Sequence, residues 1–381
     1  MAELRIQKVE SQSDLERFIH FPWTVYKGDP YWVPPIISER KEFLSKEHNP
    51  FFEHASADYF LALRGDQLVG TIAAISNEKY NTFQETNVGF FGFFEVLEDP
   101  EAAGALLEKA ERWAKAAGHD AIIGPAQFSS NDELGLLIDG FEDRPRILMT
   151  YNPPRYRTYL ESSGYHKAMD LWAYSLPVAD FVANTPPKLV RVVEKIRQRR
   201  NLTVRTLDMK RYDEEVHAFK ALYNTSWEKN WGFVPFTDAE MDVMARQMKQ
   251  IIDPDLVILV EAEGKIVGGS ISLPDLNQPL QKAYPRPGTP EFITMLKLLW
   301  NWKVSGRLDW IRVFALGVLP EYRGTGVDAL MYMETAKNAI PKGFKFAEMS
   351  WILETNVMMN RAISMLGGEV YKTYRMYEKD L

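Results

Sequence analysis

Alternation of apolar and polar positions divides this chain into short strands and amphipathic helices. Leu4 to Val9 reads as a strand, and Ser11 to Asp14 as a capping box opening a helix toward Phe21. Asp29-Pro30-Tyr31-Trp32-Val33-Pro34-Pro35 is a stiff aromatic loop. Ala57 to Leu63 and Leu68 to Ile75 are strands joined by the hairpin turn Arg64-Gly65-Asp66-Gln67. Val88 to Val96 is a strongly aromatic strand, Ala102 to Ala117 an amphipathic helix, and Ala121 to Ile123 a buried strand. Ala168 to Leu176 closes this half.

Thr185-Pro186-Pro187 breaks the pattern and marks a domain boundary. Lys188 to Arg200 is a basic helix whose Lys188, Arg191, Lys195 and Arg199 suit a phosphate, RNA, or simply solvent on a linker helix. Beyond it the order of elements repeats. Leu202 to Leu207 is a strand, and Asp213 to Trp227 and Asp238 to Ile252 are helices. Leu256 to Glu261 and Ile266 to Leu273 form a hairpin, and Ile311 to Val318 is a central strand. Thr325 to Ala339 is the helix that follows, then strand Phe346 to Leu353, helix Asn356 to Leu366 and strand Glu369 to Glu378. The insert Asp275 to Trp310 exceeds what a hairpin needs. Its Phe292, Ile293, Leu296, Leu299, Trp300 and Trp302 recur at helical spacing, as core, inter-half packing or a lid over an acyl chain.

The central strand feeds Val318-Leu319-Pro320-Glu321-Tyr322-Arg323-Gly324-Thr325-Gly326-Val327-Asp328. Gly324 and Gly326 allow successive N–H groups to face one concavity. The helix start adds unpaired first-turn donors and the positive end of its dipole, so the junction predicts a phosphate or pyrophosphate seat. A competing pattern is a capping box of Thr325 with Asp328, which would satisfy those donors internally. The equivalent turn of the first half, Glu98-Asp99-Pro100-Glu101, carries three carboxylates and a proline without an N–H. It predicts a good helix start and a poor anion site.

Composition narrows the classes. A chain of 381 residues favours two domains, and 46% apolar residues suffice for ordinary cores. A net charge of −7 argues against nucleic acid and anionic membranes as general partners. With no cysteine, disulfides, thiolate zinc sites and a Cys nucleophile are excluded. No signal core and no run of about 18 apolar residues appears, which predicts a soluble cytoplasmic protein without a membrane span.

Arg323-Gly324-Thr325-Gly326, after Val318-x-Pro320 and between a strand and a helix, resembles the acetyl-CoA motif of the GNAT acyltransferase superfamily. Arg323 and Gly326 match that motif, while Asp328 stands where the family has a small residue. The resemblance implies an α/β (α+β) fold of two consecutive GNAT-like domains, residues 1–184 and 185–381. Each would be a mixed, mostly antiparallel sheet flanked by helices. It implies acetyl-CoA or a longer acyl-CoA held by Leu316, Val318, Arg323, Gly324, Thr325, Gly326, Val327 and Asn356. Gly317 marks either a close backbone approach near the thioester or simple packing relief.

The resemblance also places an acceptor wall at Tyr223, Asn224, Trp227 and Trp231, suited to a small amine or amino-acid-like molecule. The usual general-acid tyrosine position holds Ile363, leaving Tyr371 or Tyr374 as substitutes, with Glu354 as a base through water. In the first half, Asn152-Pro153-Pro154-Arg155-Tyr156 through Gly164-Tyr165 resembles the superfamily's acceptor-side segment, and Gly124 to Glu133 is a polar loop or an ordered turn. The expected activity is acyl-CoA-dependent N-acyl transfer. The alternatives are a catalytically silent acyl-CoA-binding or interaction protein, and aminoacyl transfer from tRNA, which the acidic charge disfavours. A homodimer is one assembly left open.

Overall fold

A computed structural model describes residues 2–199 and 202–381, apart from the side chains of Asn184, Lys188, Leu189, Arg197, Gln198 and Arg199. The side chains of Lys188 and Arg199 of the expected basic face therefore lie outside what is described. Two compact units emerge. Unit 1 comprises Met1–Leu171, Asn277–Ser305 and Lys372–Leu381, and unit 2 comprises Trp172–Leu276 and Gly306–Tyr371. This partition differs from the simple cut between residues 184 and 185. The insert and the final strand both leave the second half in sequence and complete the first in space.

Unit 1 is built on β1 (Leu4–Lys8), β2 (Ala55–Arg64), β3 (Gln67–Asn77) and β4 (Val88–Val96), all antiparallel, with β5 (Ala121–Gly124) parallel to β4. A short β6 (Leu136–Asp139), absent from the sequence reading, follows. β7 (His166–Pro177) begins in unit 1 and ends in unit 2. Unit 2 carries β8 (Leu202–Thr206), β9 (Val257–Ala262), β10 (Lys265–Pro274) and β11 (Trp310–Val318), again antiparallel, with β12 (Phe346–Leu353) parallel to β11. β13 (Glu369–Asp380) is not simply the closing strand of the second half. Its residues 373–380 pair with β5 and β6.

The pattern explains these elements. In β3, consecutive apolar and small residues suit a strand covered on both faces, and Val69 to Ile75 are buried throughout. The helix Pro100–Ala116 places Ala102, Ala103, Leu106, Leu107, Ala110 and Ala114 on one buried stripe against this sheet. Asp99 caps it and Pro100 opens it, as the sequence implies. In unit 2, Val327, Leu330 and Met331 of the helix Val327–Ala339 pack with Val193 and Ile196 over β9 and β10.

Candidate functional site

In unit 2, β11 and β12 stay in register only from Trp310↔Phe346 to Val313↔Met349. β11 then runs on to Val318 and β12 to Leu353 without pairing, so the strands part. The other side of β11 remains bonded to β10, from Ala315↔Ile271 to Val318↔Gly268. Leu319 donates its N–H to Val267 O at 2.9 Å. Amides alternate sides along a strand, so those of Leu316 and Val318 face the parted side. The Val318 carbonyl there accepts from Arg323 Nε at 3.2 Å.

The glycine junction closes this edge. Gly324 (φ 68°) and Gly326 (φ 95°) both adopt left-handed backbone, and Gly326 is the N-cap of the helix Val327–Ala339. The expected Thr325–Asp328 capping box does not form. Among the described residues no side chain caps the helix, and Thr325 Oγ1 instead donates to Tyr322 O at 2.6 Å. Asp328 lies near Tyr332, one turn along; burial, and secondarily that carboxylate, raise the pKa of the Tyr332 hydroxyl. Among the described residues the first intrahelical bond here is Leu330 N–H to Gly326 O, so the Gly326, Val327 and Asp328 donors have no acceptor. Three aligned donors beside an unpaired strand edge fit a diphosphate and its amide-bearing arm.

The other predicted cofactor residues have their own work. Arg323 Nη2 donates to Ser226 O at 2.7 Å, so the guanidinium ties the junction to the helix Tyr212–Trp227. Asn356 caps the helix Val357–Met365 through Met359 N–H, at 3.3 Å. Gly317 settles as a close approach by a side chain: a Cβ there would lie 2.4 Å from Trp227 Cζ3 and 3.1 Å from Ser226 Cβ. Trp227 stacks on Tyr223 with centroids 4.6 Å apart, and Tyr223 also meets Phe233 and Phe236. Trp231 lies half-buried in the following turn. Among the described residues Asn224 Oδ1 and Ser226 Oγ are buried without a partner, Ser226 directly beside Gly317.

The three predicted proton carriers separate. Tyr374 is fully buried in unit 1, opposite Leu137 of β6. Glu354 sits in the turn after β12, where its backbone carbonyl accepts from Asn360. Tyr371 belongs to unit 2, and its hydroxyl donates to Glu348 Oε2 in a short contact. Glu348 Oε1 accepts from Ser350 Oγ at 2.7 Å, and Arg312 Nε donates to Ser350 Oγ at 2.9 Å. Arg312 and Glu348 are fully buried partners across β11 and β12, one step before the strands part. The sequence names Tyr371 as a candidate, whereas Glu348, Ser350 and Arg312 are not among its candidates.

Unit 1 differs at each equivalent point. Ala126 N–H bonds Phe91 O at 2.9 Å, where β4 and β5 would otherwise begin to part. Gly92 leaves room for it, since a Cβ there would lie 1.9 Å from Ala126 O. The loop beyond is an ordered turn: Phe128 packs between Phe43, Phe51 and Phe93. Arg40 holds Gln127 at 2.6 Å and Glu133 at 3.3 Å. Arg64 bridges two of the three carboxylates of the acidic turn, contacting Asp99 at 2.7 Å and Glu101 at 2.6 Å.

Unit 1 does contain a group that the sequence reading missed. Glu95, near the end of β4, accepts from Tyr26 Oη at 3.0 Å and Tyr156 Oη at 2.9 Å. Enclosure pushes its carboxyl up to about 7, against the opposing pull of those hydroxyls and of Arg155 and Arg40. Phe93, two residues before, adopts φ 49° where β4 bulges against β3. Such a carboxyl is suited to exchanging protons near neutrality.

No family model matches the chain. It is 34% identical over 375 residues to YghO of Escherichia coli, covering 97% of this chain and 94% of that protein. It is 35% identical over 385 residues to bacterial ceramide synthase of Caulobacter vibrioides, covering 100% and 98%. Among solved structures, the tandem GNAT protein from the clavulanic acid biosynthesis pathway superposes with a TM-score of 0.57 at 12% identity, covering 99% of this chain and 98% of that one. A probable N-acyltransferase of Enterococcus faecalis superposes with 0.52 at 11% identity, covering 100% and 73%. Among the described residues no helix is long and apolar enough to cross a membrane.

Proposed function

The chain belongs to the family of YghO and bacterial ceramide synthase and has the tandem GNAT fold, and from that premise we propose that it is an acyl-CoA-dependent N-acyltransferase. The observation that carries this reading is the junction after β11, with the uncapped donors of Gly326, Val327 and Asp328 beside a strand edge left open by β12. Acyl-CoA, as donor, supplies an activated acyl thioester. The junction donors hold its diphosphate, and the Leu316 and Val318 amides bind and orient its arm. Tyr371 gives its Oη proton, held by Glu348 and Ser350, to the thiolate released as the C–S bond breaks and the amide forms, and is reprotonated by the proton the amine loses. Tyr223 and Trp227 wall the acceptor side, with Asn224 and Ser226 offering polar atoms that lack protein partners. The relative that makes ceramide, an N-acylated amino alcohol, directs the acceptor class to a primary amine on a long-chain amino alcohol.

The test has two parts. CoA and acyl-CoA raise the melting temperature of the intact protein, and free thiol appears when a long-chain amino alcohol is added. No shift with any acyl-CoA removes the donor, and a shift without thiol across an amine panel leaves only a binding protein. Arg323→Ala frees the junction from Ser226 O and weakens acyl-CoA about tenfold, roughly 1.4 kcal/mol, as read by calorimetry. Tyr371→Phe removes the Oη proton, lowering kcat by 10²-fold or more with KM for acyl-CoA unchanged.

A second reading rests on Glu95. If the proton transfer runs through Glu95, Tyr371→Phe leaves kcat intact and Glu95→Gln abolishes it.

A further inference from the structure

The stripe in the insert is not core. In the helix Glu291–Leu299 and the π-helical turn Trp300–Val304, the buried side is Thr294 and Leu298. The opposite side presents Phe292 (65% exposed), Leu296 (62%), Leu299 (47%), Trp300 (60%) and Val304 (64%). Residues 292, 296, 299 and 300 share one helical face. On a helix at a protein surface the outward face is ordinarily polar, so this amphipathicity is inverted. The element is also firmly held. Glu291 accepts from Ser38 N at 3.1 Å and Oγ at 2.5 Å, and Gln281 and Asn277, upstream in the insert, donate to Pro30 O and Pro145 O.

We propose that this face is a membrane-surface element, seated on an anionic phospholipid bilayer. Charge selects that occupant. From Phe292 to Val304 the only ionisable residues are Lys297 and Lys303, both exposed, in a chain whose net charge is −7. The acidic total describes the whole molecule, whereas a bilayer meets only this patch. Lys303 Nζ lies 3.6 Å from the centre of the Trp302 ring, and Trp300 is among the exposed residues. Tryptophan with a snorkelling lysine suits the headgroup boundary, where an apolar body and a wet, charged tip are both satisfied. At about 1.5 Å per residue the element is roughly 20 Å long, shorter than the ~30 Å hydrocarbon layer, so it lies in the surface and does not cross it. The inference goes beyond the acyl-transfer reading and does not depend on it.

The test is co-sedimentation of the full chain with phosphatidylglycerol/phosphatidylcholine vesicles at low salt, with pure phosphatidylcholine vesicles alongside. Binding to the anionic vesicles is expected, weakening as salt rises. Leu296→Glu with Leu299→Glu lowers it at least tenfold, with circular dichroism and the acyl-CoA melting shift unchanged because both side chains are exposed. Lys297→Glu with Lys303→Glu removes the preference for anionic over neutral vesicles. Failure of the wild type to sediment with anionic vesicles overturns the proposal. So does sedimentation velocity showing a dimer that Leu296→Glu and Leu299→Glu dissociate, because the face then belongs to a second copy.

Discussion

Gly324→Asp abolishes the melting shift produced by acyl-CoA, with affinity falling about a hundredfold, roughly 2.7 kcal/mol. A Cβ at Gly324 meets no heavy atom of the described residues within 4 Å, and aspartate tolerates the left-handed backbone better than most residues. The variant therefore folds, and its ligand-free melting temperature falls by no more than a few degrees. What changes is the field: a carboxylate joins the concavity that the Gly326, Val327 and Asp328 donors line. Gly324→Asn has the same shape without the charge, and retains binding within a few-fold. Equal loss in both variants assigns the effect to backbone distortion and removes the electrostatic account. Gly326 is the poorer test, because a Cβ there would lie 2.7 Å from Ile196 Cδ1 and disturb the core.

Glu95→Gln produces the second large effect, and its direction depends on pH. The folded carboxyl titrates at about 7, above its ordinary 4.5, so folding favours the protonated form. Stability from this site is complete below about 4.5, declines as pH rises toward 7, and stays low above it. Glutamine mimics the protonated carboxyl at every pH. Thermal unfolding of the variant should match wild type at pH 4.5 and exceed it by about 3 °C at pH 8. No difference at pH 8 places the carboxyl in its usual range. If the chemistry sits in unit 1, the stabilised variant also loses its activity, the usual exchange at a site held in an unfavourable charge state.

Local pattern made much of the fold legible. Val88–Val96 and Phe346–Leu353 begin and end where alternation and flanking turns put them. The glycine junction was legible for the same reason, since its chemistry lies within a few consecutive residues. Its capping was not. Thr325-x-x-Asp328 reads as a capping box, but the N-cap falls one residue later, on left-handed Gly326, and Thr325 turns back to Tyr322.

Glu95 escaped notice because its enclosing hydroxyls, Tyr26 and Tyr156, are 69 and 61 residues away. The only local hint was a lone carboxylate ending a run of phenylalanines and glycine. Lys372 is similar. Nothing local marks it, yet it is fully buried, its ammonium donating to Asp143 O at 2.7 Å. β6 is four residues long and exists only because β13 supplies its partner.

That last pairing has a consequence for biosynthesis. Lys372 reaches Gly140 across 232 positions of chain, and Arg375 meets Asp170 across 205. A ribosome adding about 5–20 residues per second needs about 12–48 s to deliver β13 after β6 has emerged. Throughout that interval β6 waits unpaired, and the edge of β5 away from β4 stays open to other nascent chains. Chaperone protection before the carboxy-terminal strand arrives would guard this gap, and a ribosome stalled short of Lys372 would release an incomplete first unit.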